Sequence, residues 1–163
     1  AKDKISRYVK NDGGRGELKK KNYKRTREVF RQGMENDPTN PTAYFNLGLA
    51  YMELGDMENA LSHMEQAVLL APENIHIHLY IAKVLVQKGE TEKGRKVLES
   101  IIEEKPQMAD AHFQLGWLEL DAENYESALR HFEEAQKWMP DMPDLDAMME
   151  RAKKGLSQVN PNP

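Results

Sequence analysis

The chain has 163 residues, 39% apolar and 31% charged, a composition ordinary for a water-soluble, helix-rich protein with one respectable core. Cysteine is absent, which excludes disulfides and thiolate chemistry, and no run reaches the roughly 18–20 apolar residues that a membrane span needs. The net charge of −4 hides an asymmetry: residues 1–40 carry 12 Lys/Arg against 6 Asp/Glu, and the remainder carry 11 against 21.

No charged-then-apolar leader opens the sequence, so a cytoplasmic protein is expected, although a start at Ala1 instead of Met leaves room for a removed segment. Residues 1–21 read as a basic arm with a degenerate first helix. Gly13, Gly14 and Gly16 damage that helix, leaving a short one around Ile5, Tyr8 and Val9 or none. A basic arm on an acidic body reads either as a polyanion-binding tail or as attraction between the two parts, within one molecule or between neighbours. The second is preferred, because Lys19-Lys20-Lys21 lies close to Glu17 and belongs to no nucleic-acid motif; nucleic acid is not an expected partner.

From residue 22 a period governs the chain. Pro38, Pro72, Pro106 and Pro140 stand 34 residues apart, and blocks 41–74, 75–108 and 109–142 align without a gap. Tyr44, Leu47, Gly48 and Tyr51 align with His78, Ile81, Ala82 and Leu85, and with His112, Leu115, Gly116 and Glu119. Further on, Ala60, Met64 and Ala67 align with Gly94, Leu98 and Ile101, and with Ala128, Phe132 and Ala135. Each block holds two helical stretches, near 42–54 and 57–70 in the first, joined at Gly55-Asp56 and stopped by the proline. Residues 22–40 match only the second half of such a block, with Phe30 and Gly33 at the core positions. Residues 143–157 form a capping helix with Leu145, Met148, Met149, Ala152 and Leu156 inward, and residues 158–163 are expected to be a poorly ordered tail.

This pattern resembles the tetratricopeptide repeat (TPR) family: a large residue, Leu-Gly, Tyr, then small, large apolar and small residues, and a helix-ending Pro. The resemblance implies an all-α fold, a right-handed solenoid of antiparallel helix pairs. Glu119, Gly94 and Ile101 depart from the pattern and are expected to loosen packing slightly.

By the same resemblance, the first helix of each repeat lines a concave groove. Its partner-binding positions would be Thr42, Phe45, Leu49, Met52 and Glu53; His76, Leu79, Lys83, Val86 and Gln87; and Asp110, Phe113, Trp117, Leu120 and Asp121. Asn46, Tyr80 and Gln114 would lie on its rim, within reach of a ligand backbone. An exposed apolar trough running from Phe45, Leu49 and Met52 through Leu79 to Phe113 and Trp117 suits an amphipathic helix or extended peptide. The acidic rim of Glu53, Asp110 and Asp121 favours a ligand with some positive charge. The alternative is internal cover of the stripe by the arm or cap, or one molecule's arm in another's groove, which would build homo-oligomers. One family variant grips peptide carboxylates with a Lys/Asn/Asn/Lys/Arg clamp; Phe45, Leu49, Asp110 and Gln114 occupy its places here, so that ligand is not expected.

Chemistry finds little support. His76, His78 and His112 could bind a metal only if they converged, whereas His78 and His112 share a packing position and His63 and His131 are expected outside. The Gly13-Gly14-Arg15-Gly16 run lacks the strand and the Gly-Lys-Ser/Thr ending of a phosphate loop. No catalytic residue, cofactor, metal or small-molecule substrate is expected. The functional expectation is a non-enzymatic adaptor or scaffold binding a protein segment, with a self-associating scaffold as the alternative.

Overall fold

The turns decide where each helix stops. In the computed structural model, which describes residues 16–159, eight helices follow one another: α1 (Gly16–Asn36), α2 (Pro41–Glu53), α3 (Met57–Leu70), α4 (Ile75–Gln87), α5 (Thr91–Glu104), α6 (Ala109–Asp121), α7 (Tyr125–Trp138) and α8 (Leu145–Val159). No strand occurs among the described residues. Gly55 and Gly89 end α2 and α4 in the left-handed region, at φ 81° and 90°. That region costs an L-residue about 1–2 kcal/mol and glycine nothing. Glu123, at the matching place after α6, takes φ 60° without that freedom. The helices then restart on side-chain caps: Asn40 accepts from the Thr42 amide, Asp56 from Asn59 and Asn74 from His76.

Two compact units share the chain, residues 1–90 and 91–163. In the first, α1 packs on α2, α2 on α3 and α3 on α4. Gly48 lets α2 and α3 close up, since a Cβ there would stand 2.7 Å from Met64 Cγ and 3.1 Å from the Ala60 carbonyl oxygen. In the second, α5 packs on α6, α6 on α7, and α8 closes on α7 and α6. Its core gathers Leu120, Ala128, Phe132, Ala135, Leu145, Met149 and Ala152, with Phe113 and Tyr125 packed against them. Gly116 plays the part of Gly48 here: a Cβ on it would lie 2.6 Å from the Phe132 ring.

Both ends differ from the expected boundaries. Helix α1 runs back to Gly16, taking in residues 16–21 that were assigned to the arm. A single glycine costs a helix only about 1 kcal/mol, which the long run of good helix formers after it outweighs. Helix α8 starts two residues later than expected, after Asp144 at φ 64°, and continues to Val159. The short helix considered around Ile5, Tyr8 and Val9, and the tail from residue 160, lie outside the described residues.

Candidate partner-binding faces

The first helices α2, α4 and α6 carry the positions singled out by the sequence. Helix α2 is buried almost all round, and this corrects the expected apolar wall. Phe45 and Met52 keep only 7% and 8% of their surface, and Leu79 on α4 keeps 4%. Phe45 presents itself edge-on to the Tyr80 ring, 5.2 Å between centroids at 78°, so its surplus apolar surface is spent on the neighbouring first helix. Only Thr42 and Glu53 stay exposed on that face, with Leu49 half-buried; Glu53 accepts a hydrogen bond from the Tyr23 hydroxyl at 3.2 Å. Asn46 is buried, not on a rim, and its side-chain amide nitrogen has no hydrogen-bond partner among the described residues.

On α4, His76, Lys83 and Gln87 are exposed, while Tyr80 and Val86 are half-buried. The Lys83 ammonium lies 5.9 Å from the Tyr80 ring centroid, so the open side of this helix is polar and cationic.

Helix α6, in the second unit, is different. Leu120 is buried in the core, as are seven other α6 residues. The five that are left, Asp110, Phe113, Gln114, Trp117 and Asp121, follow helical spacing and make one narrow open stripe. Phe113 is held from beneath by Phe132, 5.8 Å between centroids.

On the covered side of α6 sits a polar cluster that sequence reasoning only half found. Glu119, expected to loosen the packing, is buried and bonded on both oxygens: Arg95 of α5 donates to Oε1, and the Asn124 amide to Oε2 at 2.9 Å. Burial alone would raise its carboxyl pKa, but the Asn124 and Arg95 hydrogen bonds and the Arg95 charge outweigh it and hold the group below its ordinary value. His112 donates its Nε2–H to the Pro106 carbonyl at 2.8 Å, and His78 repeats the bond to Pro72 at 2.9 Å. Neither His63 nor His131 lies outside. His63 stacks on Tyr51, and His131 turns its Nδ1 to His112 Nδ1 at 3.5 Å. Desolvation, then the His112 charge, hold the His131 pKa below the usual histidine value.

At the end of α4, Lys88 bridges Glu58 and Glu90 at 2.8 and 2.6 Å. The hydrogen bonds it donates to Glu58 and Glu90 raise its pKa. No group of three or more metal-ligating side chains converges among the described residues, and none of their helices is long and apolar enough to cross a membrane.

Helix pairs joined by a turn through the left-handed region at Gly55, Gly89 or Glu123, and restarted every 34 residues at Pro41, Ile75 and Ala109, define a helical-repeat protein of the interaction-module class. The profile of the family described as cytochrome c-type biogenesis protein H TPR domain matches residues 6–144. The chain belongs to the tetratricopeptide repeat family, and its fold is of the all-α TPR solenoid class. It is 30% identical over 119 residues to Superkiller protein 3 of Schizosaccharomyces pombe, covering 69% of this chain and 9% of that protein. It is 35% identical over 107 residues to Cell division cycle protein 27 homolog A of Arabidopsis thaliana, covering 64% of this chain and 15% of that one. The chain thus spans a small fraction of the length of these relatives. Among solved structures, MamA superposes with a TM-score of 0.69 at 18% identity, over 87% of this chain and 78% of its own, a likeness of fold.

Proposed function

We propose that the protein is a non-enzymatic adaptor that binds a segment of a partner protein on the open faces of its first helices. One observation carries this reading: α6, buried on every other side, leaves uncovered a single stripe centred on Trp117, which keeps 40% of its surface. A large indole left in water at the middle of a helix is costly to keep for packing alone and suits an anchor for a partner. Thr42, Leu49 and Glu53 on α2, and His76, Lys83 and Gln87 on α4, offer the corresponding positions in the first unit. Phe45, Leu79 and Met52 drop out as ligand contacts, since their surface is already covered.

The test is a pull-down with mass spectrometry, comparing the wild type with the double variant Trp117→Ala/Lys83→Glu. Both side chains are exposed, so circular dichroism of the variant should match the wild type. Specific partners should be lost, and a partner list unchanged by the two substitutions means the reading is wrong. The charge asymmetry favours a second reading, in which the basic N-terminal region of one molecule docks on the acidic body of another. Light scattering separates the two: self-association of this kind dissolves at high salt and disappears when residues 1–15 are removed.

A further inference from the structure

We propose that the open stripe of α6 reads a basic, extended segment of the partner, with one Arg or Lys over the Trp117 indole and against Asp121, and a second against Asp110. The proposal rests on α6 being a partner-binding face and names the chemistry that face selects.

Cations already lie over three other rings of this protein. Arg27 lies 5.6 Å from the Tyr51 centroid, Lys83 5.9 Å from Tyr80, and Lys137 5.2 Å from Trp138. Trp117 has none among the described residues, although it is 40% exposed. Asp121 follows Trp117 by four residues, one turn along the same face, so a guanidinium stacked on the indole can reach its carboxylate. Asp110 and Asp121 are both exposed, and neither is ion-paired among the described residues. This contrasts with Glu119 on the same helix, whose charge Arg95 neutralises.

The wider field agrees. Residues 109–142 hold 8 Asp/Glu against 2 Lys/Arg, a balance that draws a cationic segment toward the face. Between the two aspartates, half-buried Phe113 supplies an apolar floor and Gln114 an amide able to pair with a peptide backbone. Eleven residues of helix separate Asp110 from Asp121, about 16 Å at the helical rise. An extended peptide rises about 13 Å over four residues, a spacing that keeps both basic side chains on one face of the strand, and their long stems span the remainder.

The experiment uses the full chain carrying Trp138→Phe, which leaves Trp117 as the one tryptophan of the two. It is titrated with the synthetic peptide acetyl-Arg-Ala-Leu-Ala-Arg-amide and with the same peptide carrying citrulline, an uncharged isostere, at both arginines. The arginine peptide should shift Trp117 emission saturably and bind more weakly as salt rises. Asp121→Asn, or the citrulline peptide, should weaken binding by about tenfold. Equal binding of the two peptides overturns the proposal. If fluorescence anisotropy then shows that Trp117→Ala abolishes binding of both, the partner-binding face stands and only its preference for charge falls. Should neither peptide bind, the proposal is likewise overturned, and the partner pull-down decides separately whether the face itself fails. Trp117 emission that changes with protein concentration alone would put a second copy of the chain on the stripe, and would also overturn it.

Discussion

Replacing Arg95 with Met tests how the second unit tolerates a charge inside it. The Glu119 carboxylate is 8% exposed, and without Arg95 it keeps one donor, Asn124 at 2.9 Å. Stranding one member of a fully buried pair costs about 3–5 kcal/mol. Arg95 retains 20% of its side-chain surface and has Glu92 nearby at 3.6 Å, so the pair is not wholly desolvated and the expected loss is about 2–3 kcal/mol. Both tryptophans, Trp117 and Trp138, lie in residues 91–163, so urea unfolding followed by tryptophan emission reports on this unit. The pH dependence carries the sharper signature. In the wild type the Glu119 pKa is depressed, so its contribution is complete above the unfolded value of about 4.3 and is lost as pH falls through the folded value. In Arg95→Met only the Asn124 hydrogen bond still opposes burial, so the pKa rises toward the unfolded value and the variant loses less stability than the wild type as the carboxyl takes up its proton. The gap between the two proteins should therefore narrow from pH 7 to pH 4. A gap under about 0.5 kcal/mol at pH 7, or one that does not change with pH, refutes the reasoning.

Three further substitutions probe the fold and its boundary with function. Glu123→Gly should raise the urea midpoint of the second unit by the equivalent of about 0.5–1 kcal/mol, because glycine removes the strain at φ 60°. Gly116→Ala should lower it: the helix gains about 1 kcal/mol of propensity, but the fully buried Phe132 ring 2.6 Å from the new Cβ has nowhere to go, for a net loss of about 1–2 kcal/mol. Phe45→Ala should destabilise the first unit by about 3–4 kcal/mol in a thermal or urea melt, since it empties a site that is 7% exposed and packed on Tyr80. Its folded fraction should still capture partners at wild-type affinity in the pull-down.

The family and the all-α fold were legible because both are written in short-range terms. A proline at every thirty-fourth residue and Gly48 or Gly116 at the closest approach can be read without knowing where anything else lies. The open face was less legible. Phe45 and Trp117, at the fifth and ninth positions of their repeats, were both expected on the open face, yet one is covered by Tyr80 and the other is exposed, and only the fold reveals which. Glu119 looked like a defect in a packing pattern because its partner stands 24 residues away on another helix. His131 looked external by periodicity, while the ring that draws it inward, His112, belongs to the preceding helix. In each case the missing information was a neighbour chosen by tertiary packing, which no window of consecutive residues contains.

The paired bonds of His78 to Pro72 and His112 to Pro106 have a consequence for how such a chain can grow. Donor and acceptor lie six residues apart in both, so the fastening at the mouths of α4 and α6 is encoded within one short stretch. Duplicating a 34-residue block would copy the whole fastening with it, and the new copy would need no compensating change elsewhere to secure that turn. Each further joint of this kind thus needs only the same seven-residue segment.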